Sequence, residues 1–597
     1  MRTLLLFKII TIYILSLFIV DFAFANDDKF TVRSVRIEGN EAFEDDRVRG
    51  LMVSRPPGFL SSTKFYPEVF ESDLQNIIYF YNQHGYLQAS IIDTSIYRDS
   101  VEMDVDLYID LKEGEVTHVE GISIFGNTVF SDSTLLETIG LSDGDPYSNA
   151  KVSEGMLKIV SMYADSGYLE ASIKPDTRIN DVTRTAIVDL QVEENQQSVI
   201  ESITFEGSKL TKTHVIRKEL LFEEGEVVNY SDLMKSQRDL YLTGLFKSVF
   251  IRPRPTPDSA AGKKDILIEL NEVLPHELGL TVGYGSIDKL RGKVELLTNN
   301  WMGTARKLGL TASASFVKRR VEGSFTEPYS LGTKFKTDVN LFFEFLEEPG
   351  YDLRKYGGEL TVGRRFAKNA NISLTFRYEN SRLLHVETTD IPEDFDSRVR
   401  SLKLSVTNDS RDNLFNPTKG TYQEFSHEIA GAFLQGTSAF TRTIVRVKGF
   451  LPWGRNAVLA SAVEFGWSDY FGDASSLPLN ERFYAGGPNS LRGFEYQKAG
   501  PLDENNVPVG GQFKIVWNVL EIRRAIYKMV GIGLFFDAGN VWRNITYFQS
   551  GTIRYTAGAG IRADTPVGIL RLDYGRNLDP RDFENPNQFY FSIGHAF

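Results

Sequence analysis

The chain reads as three α+β modules of β-α-α-β-β order followed by a transmembrane antiparallel β-barrel of about 16 strands, and three observations predict this. Three segments between residues 30 and 275 repeat one grammar. Beyond residue 276 the helical period gives way to alternation that runs to the end. The last nine residues, from Phe589 to Phe597, alternate large apolar with small or polar side chains and stop on an aromatic. Successive strand residues face opposite ways, so Phe589, Phe591, Ile593 and Phe597 share one face while Tyr590, Ser592, Gly594 and Ala596 take the other. That suits lipid on one side and water on the other, although an amphipathic edge strand of a soluble sheet has the same pattern.

The ends of the chain frame these elements. Arg2 and Lys8 precede the apolar stretch Ile9 to Val20, and Ala23 and Ala25 place small residues where signal peptidase reads them. Residues 1–25 are therefore expected to be a cleaved signal peptide; the alternative, an uncleaved anchor helix, has a short apolar stretch for a span. The chain has 597 residues, of which 42% are hydrophobic, and its mean hydropathy is -0.22. A bundle of transmembrane helices needs apolar runs of about 18 residues or more and is excluded. A barrel hides its lipid face by alternation, and 42 Phe and 26 Tyr suit its aromatic girdles. The absence of cysteine removes disulfides, thiolate metal sites, Cys nucleophiles and lipoprotein attachment. A net charge of -13 argues against nucleic acid as a partner.

The modules are expected at 26–115, 116–196 and 197–275, a period of about 80 residues. Each opens with an alternating strand ending in glycine, from Val32 to Gly39, Val119 to Gly126 and Val199 to Gly207, followed by Asn40, Asn127 or Ser208. Two helices follow. In the second helix of the first module Phe70, Leu74, Ile77, Ile78 and Tyr81 share a face, as Val152, Met156, Ile159 and Tyr163 do in the next. Gly85, Gly167 and Gly244 stand where these helices end and a left-handed residue is cheap. Two strands complete each unit, approximately Tyr168 to Ile179 and Arg184 to Val192 in the second.

The barrel is expected over 276–597. Phe335, Thr337, Val339, Leu341, Phe343 and Phe345 would face outward, with Lys334, Lys336, Asp338, Asn340 and Glu344 toward the lumen. An even strand number returns both ends to the same side. Two connections read as long: Glu379 to Arg398, acidic, and Phe471 to Val509, rich in Gly and Pro.

Two enzyme-like strings fail on context. Gly140-Leu-Ser-Asp-Gly144 matches a nucleophile elbow but lies between two helices, and the third module has Glu223-Glu-Gly225 there. The run Gly558 to Ala563 resembles a dinucleotide fingerprint, yet strand pattern continues on both sides. The 7 His are scattered without metal-site spacing, so no catalytic residue, metal or cofactor is expected.

The informative constellation is in the long late loop, from Arg482 to Phe494: Arg-Phe-Tyr-Ala-Gly-Gly-Pro-Asn-Ser-Leu-Arg-Gly-Phe. Its core, Leu491, Arg492, Gly493 and Phe494, resembles the loop-six motif of the Omp85 family of outer-membrane insertases and translocases. Phe535-Phe-Asp537-Ala-Gly539 resembles the companion motif on a lumen-facing strand, and Glu521 matches the other acidic partner. The repeats resemble the family's polypeptide-transport-associated (POTRA) modules, and the final strand its barrel-closing signal. On physical grounds a guanidinium in a restricted lumen can bridge two carboxylates, so Arg492 with Asp537 and Glu521 would pin the loop. Pinning alone and a part in functional cycling both remain open.

The resemblance implies an outer-membrane protein with periplasmic modules that inserts and assembles other barrels, with unfolded outer-membrane proteins and outer-membrane lipids as partners. No covalent chemistry is implied. Two-partner secretion transporters carry two modules, many central insertases of the BamA type five, and TamA-like factors three; three modules here favour a TamA-like factor or a short-armed central insertase. A TamB-like protein or accessory lipoproteins are possible partners. The rivals are a two-partner-type secretion transporter and a passive channel. In the family's mechanism the first and last strands part to admit a client strand, here Glu277 to Ser286 and Phe589 to Phe597. Gly279, Gly283 and Gly285 weaken the first and Gly594 the last, though close packing would also call for glycine.

Overall fold

The computed structural model describes residues 30–593, apart from 57–62, 257–261, 331, 390–395, 415, 455–456, 528 and 566–567. The expected signal peptide and residues 594–597, with Gly594 and Phe597, lie outside the described residues. Two compact units are present. One contains the first two modules and part of the third; the other contains residues 205–219, 239–249 and 269–597.

The first module runs β1 (Thr31–Glu38), α1 (Asp45–Arg49), α2 (Pro67–Gln83), β2 (Ser90–Asp99) and β3 (Asp104–Lys112). The second runs β4 (His118–Phe125), α3 (Asp132–Ile139), α4 (Asn149–Asp165), β5 (Ser172–Asn180) and β6 (Thr185–Glu193). The third runs β7 (Val199–Glu206), α5 (Thr213–Arg217), α6 (Tyr230–Leu242), β8 (Phe246–Pro255) and β9 (Lys263–Glu272). Each sheet has its last strand in the middle, in the orders β1-β3-β2, β4-β6-β5 and β7-β9-β8. The predicted helix faces form the cores: Phe70, Ile77 and Tyr81 are buried against Val105, Leu107 and Ile109, and Val152, Ile159 and Tyr163 against Val188 and Leu190.

One device closes all three modules. The glycine ending each first strand has positive φ, and a Cβ there would lie 1.8 Å from the Leu111 carbonyl oxygen at Gly39, 2.3 Å from that of Val192 at Gly126 and 2.0 Å from that of Leu270 at Gly207. Only glycine fits. A glutamate at the end of each central strand then accepts the freed turn amides: Glu113 from Ala42, Glu194 from Thr128 and Val129, and Glu272 from Lys209, Leu210 and Thr211. Buried tyrosine hydroxyls donate to two of them, Tyr81 to Glu113 at 2.8 Å and Tyr163 to Glu194 at 2.7 Å. Both decoys fall where context placed them. Gly140 is the left-handed C-cap of α3, and Gly558 to Ala563 lies in a barrel strand.

The barrel strands are β10 (His276–Gly285), β11 (Lys289–Trp301), β12 (Arg306–Ser315), β13 (Lys318–Ser330), β14 (Phe335–Glu348), β15 (Tyr351–Ala367), β16 (Ala370–Val386), β17 (Asp396–Asp409), β18 (Gly420–Ala430), β19 (Phe440–Trp453), β20 (Ala457–Tyr470), β21 (Phe513–Tyr527), β22 (Val530–Trp542), β23 (Arg554–Thr565), β24 (Gly568–Asn577) and β25 (Asn587–Ile593). In that order they form a closed antiparallel barrel of 16 strands. On β14 the expected faces hold: Leu341 and Phe343 are exposed while Glu344 is buried, held by Arg320 Nη1 at 2.7 Å, Lys318 at 3.2 Å and Lys355 at 3.3 Å.

One connection is shorter than the sequence suggested. Glu379 to Val386 continue β16 and Asp396 to Arg398 begin β17, leaving only 387–395 between strands. Glu379 is buried and faces Arg377 and Lys355. Polar residues occupy both faces from Glu379 to Arg382, and the leucines that follow face opposite ways, Leu383 buried and Leu384 exposed, so hydrophobic alternation could not mark these ends.

Candidate functional site

The connection between β20 and β21 carries the predicted constellation, and the barrel wall receives it. Arg492 is 2% exposed and Asp537 0%. The guanidinium grips Asp537 in a fork, Nε donating to Oδ2 at 2.8 Å and Nη2 to Oδ1 at 2.6 Å. Nη1 donates to Glu521 Oε2 at 2.6 Å. Its carbon stands 3.5 Å from the centre of the Phe535 ring, a cation–π contact away from bulk water. Asp537 also accepts from Asn518 Nδ2 at 2.9 Å, which donates in turn to the Ser490 carbonyl. Glu521 is balanced by Arg523 at 2.9 Å and Arg562 at 3.7 Å.

Register explains why these residues meet. Asn518 faces Asp537 and Glu521 faces Phe535 across β21–β22, while Thr556 faces Asp537 and Gly558 faces Phe535 across β22–β23. A Cβ on Gly558 would lie 2.4 Å from the Phe535 ring, so this glycine makes room for the ring beneath the guanidinium. Gly493 passes as close to β24: its Cβ would meet Arg576 and Asn577 backbone atoms at 2.7 Å, and a Cβ on Gly575 would lie 2.2 Å from the Arg492 carbonyl oxygen. Gly539, with φ 156, packs where a Cβ would lie 2.3 Å from the Ile515 carbonyl oxygen. Leu491 and Phe494 join Phe483, Ala485, Ala499, Val516 and Val541 in a buried apolar cluster.

Two further attachments were missed by sequence reasoning. Glu481, 2% exposed at the start of the motif, meets Arg377 at 3.1 Å and Arg442 at 2.7 Å. Both arginines also hold Glu428, at 2.9 and 2.8 Å. Isolated charges on β16, β18 and β19 carry no sequence signal until strand register brings them together. The Tyr590 hydroxyl donates to the Phe494 carbonyl, tying the loop to the closing strand.

That closing strand meets the first strand of the barrel at a seam. Among the described residues β10 and β25 are registered at Tyr284–Ile593 and Gly285–Ser592, extended by the Ser286 amide on the Phe591 carbonyl at 2.8 Å. On its other edge β10 pairs with β11 along its length, from His276–Thr298 to Gly285–Lys289. Phe589 and Phe591 lie on the outward face, with Phe589 67% exposed. A Cβ on Gly283 would lie 2.9 Å from the Ile593 carbonyl oxygen, so packing requires that glycine; Gly279 and Gly285 have ordinary space around them. A lumen cavity of about 940 Å³ reaches from Ser490, Glu521 and Arg571 to Ser286 and Phe591 at the seam. The geometry holds the loop against one wall of the barrel, beside the seam.

The comparisons agree with this architecture. Residues 300–597 match the Omp85 superfamily domain, and residues 30–114, 117–195 and 198–273 each match the surface antigen variable number repeat, or POTRA. The chain is 24% identical to outer membrane protein assembly factor BamA of Nitratidesulfovibrio vulgaris, over 96% of this chain and 74% of that protein. It is likewise 24% identical to BamA of Neisseria meningitidis serogroup B, over 95% of this chain and 78% of that one. The crystal structure of Haemophilus ducreyi BamA lacking POTRA domains 1-3 superposes with a TM-score of 0.69 at 21% identity, covering 80% of this chain and 99% of that one. With three POTRA repeats preceding an Omp85 domain on a closed barrel, the chain belongs to the Omp85 superfamily.

Proposed function

We propose that this protein is an outer-membrane insertase that assists the folding of other β-barrels by opening between β10 and β25. The barrel lies in the outer membrane, and the modules lie in the periplasm. The observation that carries the reading is the architecture: three POTRA repeats precede a closed 16-stranded barrel whose first and last strands meet at a seam, where Tyr284 faces Ile593 and Gly285 faces Ser592. The edge that a parted seam exposes binds another strand through main-chain hydrogen bonds whatever the client's side chains. The assembly-factor names of the relatives support the same reading, and alignment over nearly the whole chain favours a short-armed BamA-like insertase over a TamA-like accessory factor.

In this mechanism the Arg492–Asp537–Glu521 cluster keeps the loop fixed to β21–β24, so the opening is confined to the seam. The loop occupies lumen that a passive channel would keep open. The direct test uses the cysteine-free background: Tyr284→Cys with Ile593→Cys, facing residues across the seam, whose spacing in an antiparallel pair suits a disulfide. Liposomes containing the reduced variant should accelerate protease-resistant folding of a urea-unfolded barrel client over empty liposomes. Oxidation should abolish that gain and reductant restore it. Acceleration that survives complete cross-linking would refute opening at this seam, and no acceleration in either state would refute the insertase reading.

A further inference from the structure

The outward faces of β13 to β17 carry an unusual concentration of arginine at the extracellular rim. Facing residues in register give three successive rows. The outermost reads Arg319, Phe345, Arg354, Arg382, Asp396; the next Val321, Phe343, Tyr356, Asn380, Arg398; the third Gly323, Leu341, Gly358, Tyr378, Arg400. These rows point outward, because the alternate row through Leu353 and Leu383 is buried in the lumen and Leu341, Phe343 and Tyr356 are exposed. Arg319, Arg354 and Arg382 share the outermost row, and Arg398 and Arg400 follow on β17 in the second and third.

Among the described residues this charge has few partners. Arg354 and Arg382 face each other directly across β15–β16, and like charges in that position destabilise a sheet. Among the described residues the Arg354 and Arg398 side chains have no hydrogen-bond or ion-pair partner. Arg382 meets Asp396 only at 3.7 Å, with both groups more than half exposed. Arg319 reaches Glu347 at 3.8 Å. Arg400 lies flat on the Tyr378 ring at 3.3 Å with Nη1 donating to the Glu379 and Val399 carbonyls. Of the nearby acids among the described residues, Asp352 is engaged by His385 at 3.2 Å, and neither Glu347 nor Asp396 reaches Arg354.

We propose that this face binds the phosphate groups of an outer-leaflet lipid. A forked guanidinium matches phosphate geometry, and an anion between Arg354 and Arg382 converts their repulsion into a clamp. The ligand is an amphiphile rather than a soluble anion, because the apolar residues Phe343, Tyr356, Leu341 and Leu360 continue directly below the charges on the same face. A headgroup held by the arginines would lay its acyl chains along them.

The test compares the full chain with Arg354→Gln/Arg382→Gln and with Arg364→Gln/Arg365→Gln, which removes equal charge at the opposite rim. Each is exchanged into neutral detergent with lipid A carrying two phosphate monoesters, or with the same lipid enzymatically dephosphorylated, and retention is read by native mass spectrometry. Wild type and the opposite-rim variant should retain the phosphorylated lipid at least tenfold better than the Arg354/Arg382 variant, and dephosphorylation should erase the difference. The unfolding temperature gives a second reading that tolerates a poorly folding double variant: Arg354→Gln alone should raise it in lipid-free detergent, where repulsion is relieved, and lower it with phosphorylated lipid A. Equal retention by all three proteins, equal retention of the dephosphorylated lipid, or one sign of shift in both media would overturn the proposal.

Discussion

Replacing Arg492 with alanine should release the loop through the carboxylate it strands. The substitution removes three charge-assisted hydrogen bonds, two to Asp537 and one to Glu521; at about 1.5–3 kcal/mol each, their sum is an upper bound of about 4.5–9 kcal/mol. The two acids are affected unequally. Glu521 borders the lumen cavity and keeps Arg523 and Arg562, whereas Asp537 is fully buried and keeps Asn518, the Arg492 amide at 3.3 Å and Thr556 at 3.5 Å. One buried, under-compensated charge costs about 3–5 kcal/mol. The readout is a cysteine at Ala499, which is small and 0% exposed in the loop core; its maleimide labelling follows loop opening and should quicken on the order of 100- to 3,000-fold. Adding Asp537→Asn removes the stranded charge, so Arg492→Ala/Asp537→Asn should label at least tenfold more slowly than Arg492→Ala. Labelling of the double variant as fast as the single would refute this account of the latch.

Three other outcomes are expected. Glu481→Gln leaves Arg377 and Arg442 sharing Glu428 alone, so protease cleavage near residues 472–476 should rise about tenfold, the effect of about 1.4 kcal/mol, while labelling at Ala499 changes less than in Arg492→Ala. Gly575→Ala forces a methyl against the Arg492 carbonyl, with an overpacking cost of about 1–3 kcal/mol; it should reproduce loop release with Arg492 intact, as the Ala499 label will report. In the second module burial pushes the Glu194 carboxyl up, but the Thr128 hydroxyl, the Val129 and Thr128 amides and the Tyr163 hydroxyl together outweigh it and hold its pKa down at about 2. A depressed folded-state pKa contributes stability above the ordinary glutamate value of about 4.3 that is lost as pH falls toward 2; hydrogen exchange at the Thr128 and Val129 amides should accelerate over that window in wild type and be pH-insensitive there, apart from intrinsic rates, in Glu194→Gln.

What could be read from the sequence was whatever local periodicity or a short contiguous motif expressed. The module order, the buried helix faces of α2 and α4, and the alternation of β14 follow from periods of 3.6 and 2, which neighbouring residues reveal without knowledge of the fold. Arg492, Asp537 and Glu521 were legible because each sits in or near a recognisable string. Glu481, Arg377, Arg442 and Glu428 were not, because a lone charge on an inward strand position looks like any lumen residue until register pairs it with others. The turn-closing glutamates Glu113, Glu194 and Glu272 did repeat at the module period, and aligning the three modules by their glycines would have found them. The overestimated acidic connection has the opposite cause: β16 and β17 remain strands by main-chain pairing after their side chains cease to alternate.

The two loop anchors divide the mechanical problem of an opening barrel. Arg492 fastens the loop to β21 and β22, Gly493 and Gly575 interlock it with β24, and Glu481 fastens it to β16 and β19. A body attached on both flanks braces the lumen between them, so strain from an incoming strand cannot spread evenly around the wall. On the mechanism proposed above it falls on the seam between β10 and β25. The Tyr590 hydroxyl on the Phe494 carbonyl links this brace to β25, and because that link is separate from both salt-bridge clusters, the parting proposed above need not break either of them. On that proposal the loop stays locked to the wall while β10, still paired with β11, offers its freed edge to a client strand.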